Sequence, residues 1–245
     1  MSKVIIITVF NNVELYENMK ASVIETKNNL SVEFYGLDNT TNKYSSAASA
    51  YNEAINNLSS ENDILVFCHQ DLIFKANTLE KIYNLCINDN NSVYGAAGAT
   101  ECQKEYHKPR KRVRVVTTIN NLNYMEKDEI IEVFTIDELL IAGSAKIFKK
   151  IMFDEKTCDN WHLYTADFCL QCHLYGYKVK VIGCDLIHLS DGNINEAFRR
   201  AEKRLARKYN GIYPMINYTC GSAYTNPMLF YMYRMYRRIK KIIKG

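Results

Sequence analysis

An α/β fold built on a mostly parallel sheet is what this sequence predicts, on three observations. Val4–Phe10 and Ile64–Cys68 are unbroken apolar runs rather than alternating ones, the pattern of strands buried on both faces. Such runs alternate with segments of helical apolar spacing, giving the order βαβαβα. The 245 residues, 47% hydrophobic and 24% charged with only 3 prolines, have the composition of a globular domain with a substantial core.

Taken in order, Val4–Phe10 is β-branched and reads as a central strand, and after Asn11-Asn12 the residues Leu15, Met19 and Val23 recur at helical spacing. Val32–Leu37 is a second strand, closed by the turn formers Asp38-Asn39. Ser45-Ser46 supplies a cap for a helix that carries Ala47, Tyr51, Ala54, Ile55 and Leu58 on one side. The third buried strand, Ile64–Cys68, stops at His69-Gln70-Asp71, after which Leu79, Ile82, Tyr83 and Cys86 mark another helix. Val93–Ala99 reads as one Gly/Ala-rich strand, 101–128 as a long polar excursion of a kind usually functional or mobile, and Leu139–Gly143 as a return to the sheet. A helix opens at Trp161 and ends near Gly176, and Val179–Ile187 is strand-like. At the C-terminus Leu229, Met232, Tyr236, Ile239 and Ile243 line one helical face, with Arg234, Arg237, Arg238, Lys241 and Lys244 on the other. The expected organisation is a single domain over 1–225, in two halves that meet near residue 100, followed by a basic amphipathic helix over 226–245.

Lys+Arg of 31 against Asp+Glu of 27 leaves a charge of +4, too little for wholesale neutralisation of nucleic acid, and the basic residues lack interleaved stacking aromatics. Nucleic acid is not an expected partner. The 8 cysteines are scattered through apolar contexts and predict reduced thiols in a cytoplasmic protein. Cys169 and Cys172 form a CxxC inside a helical pattern with no second pair, which reads as core cysteines rather than a zinc site. No apolar run approaches the roughly 20 residues of a membrane span, and the apolar opening is too short for a signal sequence. The basic helix over 229–244 suits attachment to an anionic membrane surface, or equally packing on its own domain.

Ligands of open parallel sheets bind beyond the carboxyl ends of the strands, where Asp38, His69, Gln70 and Asp71 fall. A carboxylate there suits Mg²⁺ or Mn²⁺, which take one or two protein carboxylates and fill their other positions with phosphate oxygens and water. The alternative is that the triplet caps the following helix. Asp167 sits in an apolar stripe with Leu163, Leu170 and Leu174, where partial desolvation raises a carboxyl toward the range of a general base. Its alternative role is a pair with a nearby basic or tyrosine side chain. His188 ends a strand-like run and is either a metal ligand or a structural histidine. Lys108–Arg114 either clamps phosphates through its arginines or is a solvated loop.

The order and spacing of Val4–Phe10, Ala50-Tyr51-Asn52-Glu53-Ala54-Ile55, Val66–Leu72, Thr135–Leu140, Phe153-Asp154-Glu155 and His162–Leu170 followed by Gly176-Tyr177 resemble the bacterial family 2-like glycosyltransferases of GT-A fold, over about residues 4 to 192. The resemblance implies a Rossmann-like mixed, mostly parallel sheet, with a donor half over about 1–100 and an acceptor half over about 101–225. It implies transfer of a sugar from a nucleotide-diphosphate donor, a UDP-sugar being favoured, to a glycan or lipid-linked acceptor hydroxyl with inversion. Mn²⁺ or Mg²⁺ is the expected cofactor, and surface polysaccharide, glycolipid or glycoprotein glycan synthesis the expected setting, in the cytoplasm or peripherally on the inner face of the membrane. Carried over, Asp71 stands at the metal carboxylate of the family's DxD, His188 near a position that completes the metal shell, and Asp167 at the catalytic base. Thr8, Phe10, Asp38 and Asn52, with Gln70, would hold the donor, while Asp137, Glu138 and His162 are acceptor-side residues or alternative bases. The departure is His69-Gln70-Asp71 itself, one carboxylate where the family has two.

Two other functions compete. A sugar nucleotidyltransferase shares the α/β core and metal, but usually carries a Gly-rich basic loop after the first strand, where this chain has Asn11-Asn12-Val13-Glu14. A catalytically inactive GT-A-like nucleotide-binding or scaffold subunit is suggested by the reduced metal triplet.

Overall fold

The computed structural model describes residues 2–58, 60–101, 115–117, 119, 125, 126, 128–190 and 194–244; Cys102, Lys108–Arg114 and Asp191-Gly192 lie outside them. The first half runs β1 (Val4–Phe10), α1 (Val13–Thr26), β2 (Val32–Asp38), α2 (Ala47–Asn57), β3 (Ile64–Cys68), β4 (Leu72–Phe74), α3 (Thr78–Asn88), β5 (Ser92–Gly95) and β6 (Ala97–Ala99). The second half runs β7 (Val115–Thr117), β8 (Ile130–Glu132), β9 (Thr135–Ile136), β10 (Leu140–Ser144), α4 (Ala145–Ile151), α5 (Tyr164–Leu174), β11 (Lys178–Ile182), β12 (Leu186–His188), α6 (Glu196–Lys208), β13 (Met215–Tyr218), β14 (Gly221–Tyr224) and α7 (Pro227–Lys244).

Seven strands form the central sheet in the order β2-β1-β3-β10-β5-β11-β8. β1 is parallel to β2 and β3, and β5 to β11, while β10 and β8 run antiparallel to their neighbours. The unbroken apolar runs are explained by helices on both faces. Ile5, Ile7, Leu65 and Phe67 meet Tyr51, Ile55, Phe148 and Phe168 on one side. Val4, Ile6, Ile64 and Val66 meet Met19, Val23, Leu79 and Ile82 on the other. Each such side chain contributes about 1.5–3 kcal/mol by leaving water. Asn12 caps α1 by accepting from the Leu15 amide at 3.1 Å, and Ser46 caps α2 by accepting from Ser49 at 3.1 Å. A third cluster joins the outer face of α5 to α6, the β13–β14 hairpin and Phe230 of α7.

Two expected strands each divide. Val93–Ala99 becomes β5 in the central sheet and β6 in a small sheet with β7 and β9. Gly98 permits that second pairing, since a Cβ there would press on the Thr135 carbonyl and lie 2.8 Å from Val181. Val179–Ile187 divides into β11 and β12, the latter paired antiparallel with β4. The His69-Gln70-Asp71 triplet therefore leads into a strand, not into a helix that it caps. Cys169 and Cys172 are buried in α5, and none of the described cysteines forms a disulfide. Among the described residues no helix is long and apolar enough to cross a membrane.

Candidate functional site

The β4–β12 ladder assembles the site. It pairs Leu72 with His188, so the chain ends beyond that pair, Asp71 on one side and Leu189-Ser190 on the other, lie against each other. The Leu189 amide donates to the Asp71 carbonyl at 3.1 Å, and Ser190 Oγ donates to Asp71 Oδ2 at 2.5 Å. His188 Nε2 lies 3.4 Å and His69 Nδ1 3.9 Å from Asp71 Oδ1. One ligand atom from each of these three side chains falls within 4.8 Å of the others.

Burial alone would push the Asp71 carboxyl up, but the bonds from His188 and Ser190 hold it below the usual carboxylate range. Burial pushes His69 down, toward neutral imidazole. An ionised carboxylate beside a neutral imidazole is the protonation state that a divalent cation requires of its ligands. Two imidazoles with one carboxylate suit a transition-metal dication better than Mg²⁺, which prefers oxygen ligands.

Beside this cluster lies a cleft of about 320 Å³, lined by Val9, Phe10, Asn11, Asn39, Asn42, His69, Gln70, Asp71, Trp161 and Ser190. Its place follows from the parallel register, which sets Phe10 beside Asp38 at the carboxyl ends of β1 and β2. Gln70 ties β3 to the β1–α1 turn: its Oε1 accepts from the Asn11 and Asn12 amides at 3.0 and 2.9 Å, and its Nε2 donates to Asn11 Oδ1 at 2.7 Å. The Phe10 ring stacks on Tyr16 at 4.3 Å, which fixes one wall.

Of the expected donor residues, Phe10, Gln70 and Asp71 line the cleft and others do not. Thr8 is fully buried with its Oγ1 3.3 Å from Cys68 Sγ, because its strand position faces the core. Asn52 clasps the chain after α4, accepting from the Phe153 amide at 2.9 Å and donating to the Phe153 carbonyl at 2.9 Å and to Glu155 at 2.8 Å. Asp38 ends β2, but its Oδ1 closes a turn on the Thr40 amide and hydroxyl at 2.8 and 2.7 Å, bonds that lower its pKa. The wall there is made by Asn39 and Asn42.

Asp167 has 0% exposure and does not line the cleft. Lys208 Nζ donates to its two oxygens at 2.7 and 2.9 Å, Tyr209 Oη to Oδ1 at 3.0 Å and Gln171 Nε2 to Oδ2 at 2.8 Å. The same ammonium reaches Asp154 at 2.7 Å. The structure thus gives Asp167 the basic and tyrosine partners of its alternative reading.

Asp137 and Glu138 stand nearer the triplet, because β10 pairs with β3 and the His69 amide donates to the Leu139 carbonyl at 3.0 Å. Asp137 accepts from Thr219 Oγ1 and from the Leu139 amide. Glu138 Oε1 accepts from the Leu163 amide at the start of α5, where Leu163 is held at φ 63°, a conformation costly for a side chain of its size. Glu138 is half-buried, and burial together with the Asp137 charge pushes its carboxyl up to about 8. His162 packs its ring on Phe198 at 5.5 Å, and burial lowers its pKa.

Sequence reasoning missed Ser190, Trp161, Asn11, Asn39 and Asn42. Ser190 carried a signal, since it stands two residues beyond His188 and the two share a face if the strand period continues. Nothing in the sequence singles out one asparagine among so many.

A family model described as a glycosyltransferase-like family matches residues 5–209. No curated protein matches the chain. Among solved structures, GalNAc-T7 with UDP, GalNAc and Mn²⁺ superimposes with a TM-score of 0.60 at 10% identity, over 86% of this chain and 48% of that one. Residues 1–349 of S. aureus TarS in complex with UDP-GlcNAc give 0.52 at 13% identity, over 84% and 66%. A second S. aureus TarS structure gives 0.54 at 13% identity, over 86% and 40%. The chain therefore spans about half of GalNAc-T7. At such identities the likeness is one of fold, which is GT-A.

Proposed function

The chain belongs to the glycosyltransferase-like family, and from that premise we propose that it transfers a sugar from a nucleotide-diphosphate donor, a UDP-sugar being favoured, to an acceptor hydroxyl with inversion. The observation that carries this reading is the His69–Asp71–His188 cluster placed beside an open cleft at the carboxyl ends of β1, β2 and β3. The UDP and Mn²⁺ of GalNAc-T7 and the UDP-GlcNAc of TarS support the choice of donor and metal.

Phe10 offers a ring face and Asn39 and Asn42 their amides to the nucleoside. Asp71, His69 and His188 would hold Mn²⁺, with Mg²⁺ the poorer fit; when bound, the cation supplies charge neutralisation for the departing diphosphate. Glu138 takes the proton from the acceptor hydroxyl, a role that suits a half-buried carboxylate poised near neutral pH. Asp167, expected as the base, instead anchors α5 to α6 through Lys208. The single carboxylate of the triplet favours an inactive nucleotide-binding subunit as second reading, but the two imidazoles supply the ligands that the missing carboxylate would have given.

The acceptor is proposed to be lipid-linked or a growing glycan of a surface polysaccharide, glycolipid or glycoprotein, met at the cytoplasmic face of a membrane. Met228, Leu229, Met232, Met235, Tyr236 and Ile239 of α7 are all exposed, while Phe230 on the opposite side is buried in the third cluster. The helix thus turns its apolar stripe away from its own domain, which suits insertion at the headgroup boundary of an anionic membrane surface.

The test is thermal unfolding with UDP and UDP-sugars, with and without Mn²⁺. A ligand at 100 times its Kd adds roughly 2.7 kcal/mol, and Asp71→Asn should lose the Mn²⁺-dependent part. An unchanged metal increment refutes the metal site, and no shift with any nucleotide refutes the donor cleft.

A further inference from the structure

A second concavity, of about 400 Å³, opens between α6, α7 and the β13–β14 turn, and it is dominated by Arg199, Arg234, Arg237 and Arg238 against one carboxylate, Glu202. Glu202 belongs to the wall, since it is buried and its carboxylate accepts from the Tyr218 hydroxyl. Arg199 reaches Glu196 at 2.6 Å. Among the described residues, no carboxylate lies within ion-pair distance of Arg234, Arg237 or Arg238. Helical spacing of i, i+3 and i+4 puts these three on one face, and two are held by rings: Arg234 lies 5.5 Å from the Phe230 centroid and Arg237 5.9 Å from that of Tyr233. Three guanidinium groups lining one hollow with no ion-pair partner among the described residues, and with Glu202 the one carboxylate in its wall, are matched by phosphate oxygens, which they bind bidentately.

We infer that this hollow binds a phosphate group carried by the acceptor. It shares no lining residue with the donor cleft, so it is not a place for the donor's own diphosphate. It abuts the acceptor side through one turn: Cys220 lines the hollow, and Thr219 beside it donates to Asp137, the neighbour of Glu138. That the phosphate belongs to an acceptor rests on the proposed glycosyl transfer; the anion site itself rests on the arginines. A phosphate ester reaches this place either on a lipid, whose chains would leave along the exposed stripe of α7, or on a water-soluble glycan.

The experiment uses the full chain in EDTA, so that the metal site takes no part. Inorganic pyrophosphate is titrated calorimetrically, and phosphatidylcholine vesicles with and without a polyprenyl phosphate are tested by co-flotation. Wild type should bind at least one probe, and Arg234→Gln/Arg237→Gln should weaken that binding at least tenfold while UDP with Mn²⁺, titrated separately without EDTA, binds as before. Arg238→Gln, at an exposed lining position, serves as an independent variant and should weaken binding severalfold. Binding of pyrophosphate identifies a soluble phosphate as sufficient, and binding only to the polyprenyl phosphate vesicles identifies the lipid source; either supports the inference. Failure of wild type to bind either probe, or binding unchanged in the variants, overturns it. Loss of UDP binding by wild type would instead sink the transferase reading and leave the anion result to stand by itself.

Discussion

Lys208→Met separates a structural Asp167 from a catalytic one. The ammonium touches Asp154 at 2.7 Å and both oxygens of Asp167 at 2.7 and 2.9 Å. Deleting it leaves Asp167, at 0% exposure, with Tyr209 and Gln171 as its side-chain donors among the described residues. Removing one partner of a buried pair costs about 3–5 kcal/mol, against about 0–1 for an exposed pair. For a chain of this size roughly 2–4 °C of melting temperature is lost per kcal/mol, so the expected fall is about 6–20 °C. Lys208→Met/Asp167→Asn should be more stable than Lys208→Met, because it removes the uncompensated charge. Urea unfolding measures the stabilities, and transfer per folded molecule should remain near wild type in the double variant. A loss under about 1 kcal/mol in Lys208→Met would refute the buried pair, since that is the range of a surface contact. A stable Asp167→Asn that has lost transfer would return the base to Asp167 and refute Glu138.

Glu138→Gln keeps an oxygen for the Leu163 amide, so it should fold and lose about 10²–10⁴ in transfer rate, with UDP binding intact. Because the Glu138 carboxyl is raised to about 8, the wild-type rate should climb as pH passes through that value. The same shift means that its stabilising protonated form is complete below the ordinary glutamate pKa and is lost as pH rises through about 8, so Glu138→Gln should gain stability relative to wild type above that pH. At Asp154, burial raises the carboxyl but Lys208 and the Thr157 bonds outweigh it, so its pKa is lowered. Its contribution is full above about pH 4 and disappears as pH falls through the lowered value, so acid unfolding of Asp154→Asn should have a shallower pH dependence. Met232→Glu/Met235→Glu changes two exposed side chains of α7 and should leave the melting temperature within about 1–2 °C, while co-sedimentation with anionic vesicles falls at least tenfold; unchanged sedimentation would exclude the apolar stripe as the attachment surface.

The central sheet was readable because Val4–Phe10 and Ile64–Cys68 bury alternate residues against helices on both faces, and continuous hydrophobicity has no other economical explanation in a chain of ordinary composition. The splits at Ala96 and after Ile182 were not readable, since leaving one sheet for another is decided by partners far along the chain, here β9 and β4. The same holds for the site. Asp71 and His188 were each visible as strand-end polar residues, but only the β4–β12 register brings them together. That Thr8 and Asn52 stand away from the cleft was not legible, because a polar side chain near a strand or helix end reads alike whether it faces a ligand, a cysteine sulfur or a passing backbone. Asp167 sat where the resemblance places a base, and its partners Lys208 and Tyr209 lie some forty residues away in sequence, at the end of α6. Helical periodicity cannot report such a partner.

The three acidic residues on which the chemistry was expected to turn have distinct environments, and these support the distinct roles proposed for them. Asp71 is held ionised by His188 and Ser190, the state needed to bind a cation. Glu138 is held near the midpoint of its proton exchange by burial and by Asp137, the state needed to move a proton. Burial pushes the Asp167 carboxyl up as well, but it is enclosed by an ammonium, a phenol and an amide and does not line the cleft, so its position and not its pKa sets it apart from Glu138. Groups of one chemical type become an acid–base pair or a metal ligand when their surroundings push their pKa values apart. The missing second carboxylate of the triplet follows the same logic: a second negative charge in place of His69 would face Asp71 and Asp137, whereas a neutral imidazole offers a lone pair without adding to the repulsion. His69→Asp should therefore weaken folding before it strengthens Mn²⁺ binding, and its melting temperature in EDTA is where that repulsion is seen; a value no lower than that of wild type would show that the site tolerates the extra charge.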